Sequence, residues 1–163
     1  MKEHFIAVES ELEELQDEEL FAMLRETVTK ALELEGVDVP CEVNILLTDD
    51  EGIAEVNAQM RGIESATDVL SFPMFELSPG EKPAAEDADP GTGLVPLGDM
   101  CISVERARAQ ADEFGHCMAR EINYLCVHSV LHLLGYDHLD EGPMKAQMRA
   151  HEEAIMTVLD LPR

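Results

Sequence analysis

Apolar positions recur along this chain at two spacings, and each change of spacing marks a new element. His4-Phe5-Ile6-Ala7-Val8 is a short apolar run that reads as a first strand. From 17 to 35 the spacing becomes helical. Leu20, Leu24, Val28, Ala31 and Leu32 fall on one face, and Gly36 stops the helix. Cys41-Glu42-Val43-Asn44-Ile45-Leu46-Leu47 alternates and then turns continuously apolar, as a half or fully buried strand does. Thr48-Asp49-Asp50-Glu51 fits a capping box that opens a helix through Ile53, Val56 and Met60, ended by Gly62. Thr67-Asp68-Val69-Leu70-Ser71-Phe72 predicts a third strand, stopped by Pro73.

Residues 76–96 carry Pro, Gly, Ala, Glu and Asp without periodicity, which predicts a mobile surface loop too short for a domain linker. Leu97-Gly98-Asp99-Met100-Cys101-Ile102-Ser103 predicts a fourth strand. Ser103 then caps a helix over 104–114 that Gly115 ends. Met118, Ile122, Leu125, Cys126, Val130 and Leu133 predict a largely buried helix over 117–134. A last helix over 141–159 carries Met144, Met148, Ile155 and Met156, methionines better suited to packing than to ligation. No internal repeat is present. Strands and helices alternate early and helices cluster late. The expected fold is therefore α+β, with a small mixed four-stranded sheet, about five helices, and the 117–134 helix at the centre.

Composition narrows this further. A chain of 163 residues suits one domain, spanning 1–163, and 45% hydrophobic residues exclude a disordered polymer. No stretch is long and apolar enough to span a bilayer. Met1-Lys2-Glu3-His4 lacks the basic and apolar regions of a signal peptide. Cys41, Cys101, Cys117 and Cys126 form no CxxC pair and no dense framework, so they read as reduced thiols in a cytoplasmic protein. The net charge of −24 repels polyanions from the average surface. The acidic runs in 1–35 and 76–90 read as solvated surface, while Arg61, Arg106, Arg108 and Arg120 fall mid-chain.

The chemistry concentrates in His128-Ser129-Val130-Leu131-His132-Leu133-Leu134-Gly135-Tyr136-Asp137-His138. Histidines four apart on a helix share a face and can hold one metal ion. Gly135 can end the helix and turn the chain so that His138 arrives as a third ligand. Three imidazoles leave a coordination position open, the plan of a catalytic rather than a closed structural site. Zinc suits this set best, and nickel, iron or copper could fill it. The spacing equals that of the metzincin zinc proteases, His-Glu-x-x-His-x-x-Gly-x-x-His. Their general base, the glutamate after the first histidine, is here Ser129, a poor base at neutral pH. Asp137 either orients an imidazole or the metal's water from behind, or caps a turn.

Three blocks in order carry a second resemblance. His128 to His138 resembles the HxxxHxxGxDH signature of YbeY-type endoribonucleases, the bacterial rRNA maturation factors. Asn57-Ala58-Gln59-Met60-Arg61-Gly62 followed by Thr67-Asp68-Val69-Leu70-Ser71-Phe72-Pro73 is similar to that family's N-x-x-x-R-G and T-D/N-V-L-S-F-P block. Leu97-Gly98-Asp99-Met100-Cys101-Ile102-Ser103 is similar to its LGDI-x-I-S strand. The resemblance implies a single-strand-specific, metal-dependent RNA endonuclease with zinc on His128, His132 and His138, and Arg61 as a functional arginine. It implies work in 16S rRNA 3′-end maturation and ribosome quality control. The implied partners are single-stranded rRNA, the small ribosomal subunit with its proteins, and an assembly GTPase.

Phosphodiester cleavage needs a nucleophile and stabilised charge on the transferring phosphorus. A metal can serve both needs, and Arg61 can clamp non-bridging oxygens. Water and the 2′-hydroxyl both remain candidate nucleophiles, and Asp137 is the nearest carboxylate in sequence. Ser71 and Phe72 either line the cleft or belong to the core. Arg106, Arg108 and Arg120 either hold phosphates or pair with acidic neighbours such as Glu105 and Asp112. Two rivals stand beside this reading: a metallopeptidase-like hydrolase, and an acidic non-catalytic assembly factor that binds basic ribosomal proteins.

Overall fold

The computed structural model describes residues 3–136 and 143–160. Its elements are β1 (Phe5–Ser10), α1 (Glu18–Leu34), β2 (Cys41–Thr48), α2 (Asp50–Arg61), β3 (Val69–Pro73), a 3₁₀ turn (Ala85–Asp87), β4 (Val95–Ser103), α3 (Val104–Phe114), α4 (Met118–Leu133) and α5 (Pro143–Leu159). The sheet runs β1-β2-β4-β3. β1, β2 and β4 are parallel, and β3 is antiparallel to β4 at the edge. This is the expected α+β mixed sheet of four strands, and the expected elements are present with ends moved by a residue or two; residues 141–142, the expected start of the last helix, lie outside the described residues.

Strand alternation sorts side chains onto two unequal faces. Val43, Ile45 and Leu47 of β2 join Met100 and Ile102 of β4 in the main core, with Leu24 and Val28 of α1 and Leu125, Val127 and Val130 of α4. On the other face Ile53 of α2 packs with Leu70 and Cys101, flanked by Leu46, Val56 and Phe72. α4 packs against α1, α3, α5, β3 and β4, which is the central position its apolar surface predicts. A buried polar tie locks it to α1, where Thr27 Oγ1 donates to Asn123 Oδ1 at 2.6 Å. With both residues almost wholly buried, such a bond is expensive to leave half-made.

Two local expectations change. The cap of α2 is Asp49, whose carboxylate accepts from Gly52 N at 2.8 Å. Thr48, the residue a capping box would use, instead donates its hydroxyl to Glu11 at 3.0 Å. The 76–96 segment, expected to be mobile, is seated on the protein. Leu77 and Ala88, with Phe75 just before the segment, pack against the main core, Pro83 is buried, and Asp89 N and Gly93 N make backbone bonds within the segment. Its apolar residues are spaced too irregularly to show a period, yet they suffice to anchor it.

Candidate metal centre

α4 carries His128 and His132 one turn apart on a half-buried face, while Val127, Ser129, Val130 and Leu131 are buried around them. Their Nε2 atoms lie 3.1 Å apart, and the rings meet edge to face at 4.7 Å. Two imidazoles bound to one tetrahedral zinc at about 2.05 Å would hold their nitrogens about 3.3 Å apart. The pair thus fits a shared divalent ion. Among the described residues no cluster of three His, Cys, Asp or Glu converges. Asp137 and His138, the expected orienting carboxylate and third ligand, lie outside the described residues.

The carboxylate that does reach an imidazole is Glu152 of α5. Its Oε2 is 2.6 Å from His128 Nδ1, and its Oε1 accepts the Tyr124 hydroxyl at 3.2 Å. Burial, and then the neighbouring Glu152 carboxylate, push the Tyr124 hydroxyl up to about 12, so it stays protonated and donates. Sequence reasoning passed over Glu152, although a signal was present. Met148, Glu152, Ile155 and Met156 share the buried stripe of α5, and a carboxylate on such a stripe needs a partner.

Ser129 faces elsewhere. It is fully buried, and its hydroxyl meets Ser71 of β3 at 2.6 Å, fastening α4 to the sheet edge. The glutamate of a zinc protease would have no room there. Ser71 therefore belongs to the packing of α4. Phe72, its neighbour, points to the opposite face and joins the small α2 cluster.

Arg61 is exposed at the end of α2, the helix on that opposite face. Among the described residues no hydrogen bond or ion pair joins it to the histidines. The Asn57-to-Gly62 spacing around it has a structural cause. Asn57 donates to Ser65 O at 3.0 Å and accepts from Ile63 N at its own carbonyl, pinning the turn that follows Arg61. Arg106 pairs with Asp50 at 3.3 Å rather than with Glu105 or Asp112, and Arg108 is exposed. Arg120 lies nearer the centre. It lines a cavity of about 340 Å³ with Tyr124, Glu152, Arg149, His116 and Phe114.

A family model described as endoribonuclease YbeY matches residues 5–160. An endoribonuclease YbeY from Clostridium botulinum (strain Alaska E43 / Type E3) is 46% identical over 149 residues, covering 86% of this chain and 88% of its own. One from Caldicellulosiruptor saccharolyticus is 42% identical over 147 residues, covering 90% of this chain and 91% of its own. A solution structure from Thermotoga maritima superposes with a TM-score of 0.59 at 26% identity, over 96% of this chain and 92% of that one. The paired histidines of α4, a serine where a peptidase keeps its base, and a match over nearly the whole sequence agree, and the chain belongs to the endoribonuclease YbeY family.

Proposed function

We propose that this protein is a metal-dependent endoribonuclease acting on single-stranded RNA. Zinc, or another divalent transition ion, is held by His128, His132 and His138. The observation that carries this reading is the 3.1 Å approach of the His128 and His132 Nε2 atoms, in a chain of the YbeY family. Bound there, such an ion supplies Lewis-acid charge to a phosphoryl oxygen and eases deprotonation of an attacking water.

The chain's own groups do the rest. His128 and His132 bring their Nε2 atoms within 3.1 Å of each other. On the family resemblance, Arg61, exposed at the end of α2, is the two-pronged donor to non-bridging oxygens of the bound strand. Arg120 and Arg149, in the cavity beside Glu152, suit flanking phosphates. Asp137 is the candidate proton acceptor. On the family resemblance, the substrate is the 3′ region of 16S rRNA in the cytoplasm. Small-subunit proteins and an assembly GTPase are the partners.

A second role is favoured by one observation. A cleft of about 440 Å³ on the α2 face has, among the described residues, Glu9 and Asp99 as its charged side chains, beside Met60, Phe72 and Leu46. An acidic, partly apolar cleft suits a basic protein segment. It lies across the sheet from the histidines, so binding and catalysis need not compete.

The test uses purified protein with single-stranded RNA, double-stranded RNA and casein, with and without chelator. Chelator-sensitive cutting of single-stranded RNA that is lost in His128→Ala and reduced in Arg61→Ala is expected. Cleavage that persists in His128→Ala marks a contaminating nuclease. Casein cleavage abolished by that substitution would return the site to peptide chemistry. A 2′,3′-cyclic phosphate with a 5′-hydroxyl on the downstream fragment identifies the 2′-hydroxyl as nucleophile, and a 3′-hydroxyl with a 5′-phosphate identifies water.

A further inference from the structure

We propose that Glu152 is the positioning residue of the metal centre: it fixes the tautomer and aim of His128, and Tyr124 steadies it. The inference rests on the metal reading above and extends it to two residues outside the histidine motif.

The argument starts from what a carboxylate can do. An ionised carboxylate accepts hydrogen bonds and donates none. At 2.6 Å from Glu152 Oε2, Nδ1 of His128 must therefore be the nitrogen that carries the proton. The lone pair is then left on Nε2, the atom that faces His132 Nε2. One contact selects both the tautomer and the ring orientation that ligation needs. Glu152 could not perform this if it swung freely. It is 5% exposed and projects from α5. Its second oxygen is taken by Tyr124, which sits one turn before His128 on α4. Both oxygens are satisfied, which is the condition for keeping a carboxylate inside at all.

A polar tie between α4 and α5 explains the burial alone. It does not explain why the tie ends on the ring nitrogen opposite the one turned to His132. The geometry also assigns a task to α5. The affinity of the centre depends on how that helix docks, because its glutamate must reach the ring from 24 residues further along the chain.

The experiment measures zinc affinity by competition with a chromophoric chelator, using the full chain. Glu152→Ala should bind zinc about 10- to 100-fold more weakly than wild type, with Glu152→Gln, which keeps an acceptor oxygen, between the two. Tyr124→Phe should weaken binding less than Glu152→Ala does. Glu153→Gln, at the neighbouring exposed position, should match wild type. Nitrogen-15 spectra of the metal-free protein read the tautomer directly, and the zinc affinity of the folded variants separates a positioning role from a purely structural tie. His128 should hold its proton on Nδ1 in wild type and become a tautomer mixture in Glu152→Ala. Should Glu152→Ala fail to fold, Glu152→Gln and Tyr124→Phe carry the test. If wild type takes up no zinc, the metal reading falls and this inference with it. If wild type binds zinc and the folded Glu152 variants match it within about twofold, the inference alone is overturned.

Discussion

Gly135→Ala tests how the histidine helix is made to end where it does. Gly135 has φ +102°, outside the region an L-residue visits readily, and a Cβ built there would lie 2.2 Å from the Leu77 carbonyl oxygen. Two penalties add. The backbone strain is about 1–3 kcal/mol. Displacing a neighbouring main-chain carbonyl, an overpacking with no flexible side chain to yield, adds about 1–3 kcal/mol more. Gly115, which ends α3 at φ +69°, supplies the control because an added Cβ there meets nothing within 4 Å. Gly115→Ala should therefore lose only about 1 kcal/mol, the ordinary handicap of a residue with a side chain in that region. In a chain of this size about 1 kcal/mol moves the melting temperature by about 3 °C. Gly115→Ala should melt about 3 °C lower, and Gly135→Ala about 10 °C lower with weakened zinc binding. Calorimetry or thermal circular dichroism reads both. Equal shifts for the two variants would refute the claim that the 76–96 segment is seated against the end of α4.

Three further outcomes follow from contacts elsewhere. Thr27→Val should lower stability by about 1–3 kcal/mol by stranding Asn123 Oδ1, and Thr27→Val with Asn123→Leu should recover part of it; denaturant midpoints decide this. Ser129→Glu should yield no casein cleavage and a loss of more than about 3 kcal/mol, because it drives a carboxylate into the Ser71 contact; a stable, proteolytic variant would refute the packing role. Burial pushes Cys41, Cys101 and Cys126 up to about 12, so at pH about 8 a disulfide reagent should leave all three unmodified in the folded chain. From pH about 9 upward the unfolded chain sheds thiol protons that the folded one keeps, so stability should fall as pH rises; a stability curve flat through that window would refute it.

The sequence was most legible where one element decides its own structure. Period and caps located α1, α4 and the ends at Gly62 and Gly115, because those signals are local. The histidine spacing worked for the same reason, since positions four apart on a helix must be neighbours. Contacts between elements were not legible. Glu152 reaches His128 only because α5 folds back on α4, and the hint lay in its place on an apolar stripe. The seating of 76–96 was hidden because Phe75, Leu77 and Ala88 act singly, without a period. Thr48 looked like a cap in sequence, yet β1 brings Glu11 to its hydroxyl and leaves Asp49 to start α2.

Strand alternation also bears on how so acidic a chain could admit RNA. β3 sends Ser71 to the α4 side and Phe72 to the α2 side. The cleft whose charges are all acidic therefore opens away from the histidines. Among the described residues, Glu152 meets His128 and Tyr124, Glu121 meets His116, and Glu153 meets Arg149. Arg120 and Arg149 stand among them at the same cavity. The net charge of −24 describes the whole surface. Among the described residues, the cavity beside the histidines sets the two positive charges of Arg120 and Arg149 against the three carboxylates of Glu121, Glu152 and Glu153, a balance far nearer neutral than the total, and that is where an approaching phosphate meets the least repulsion.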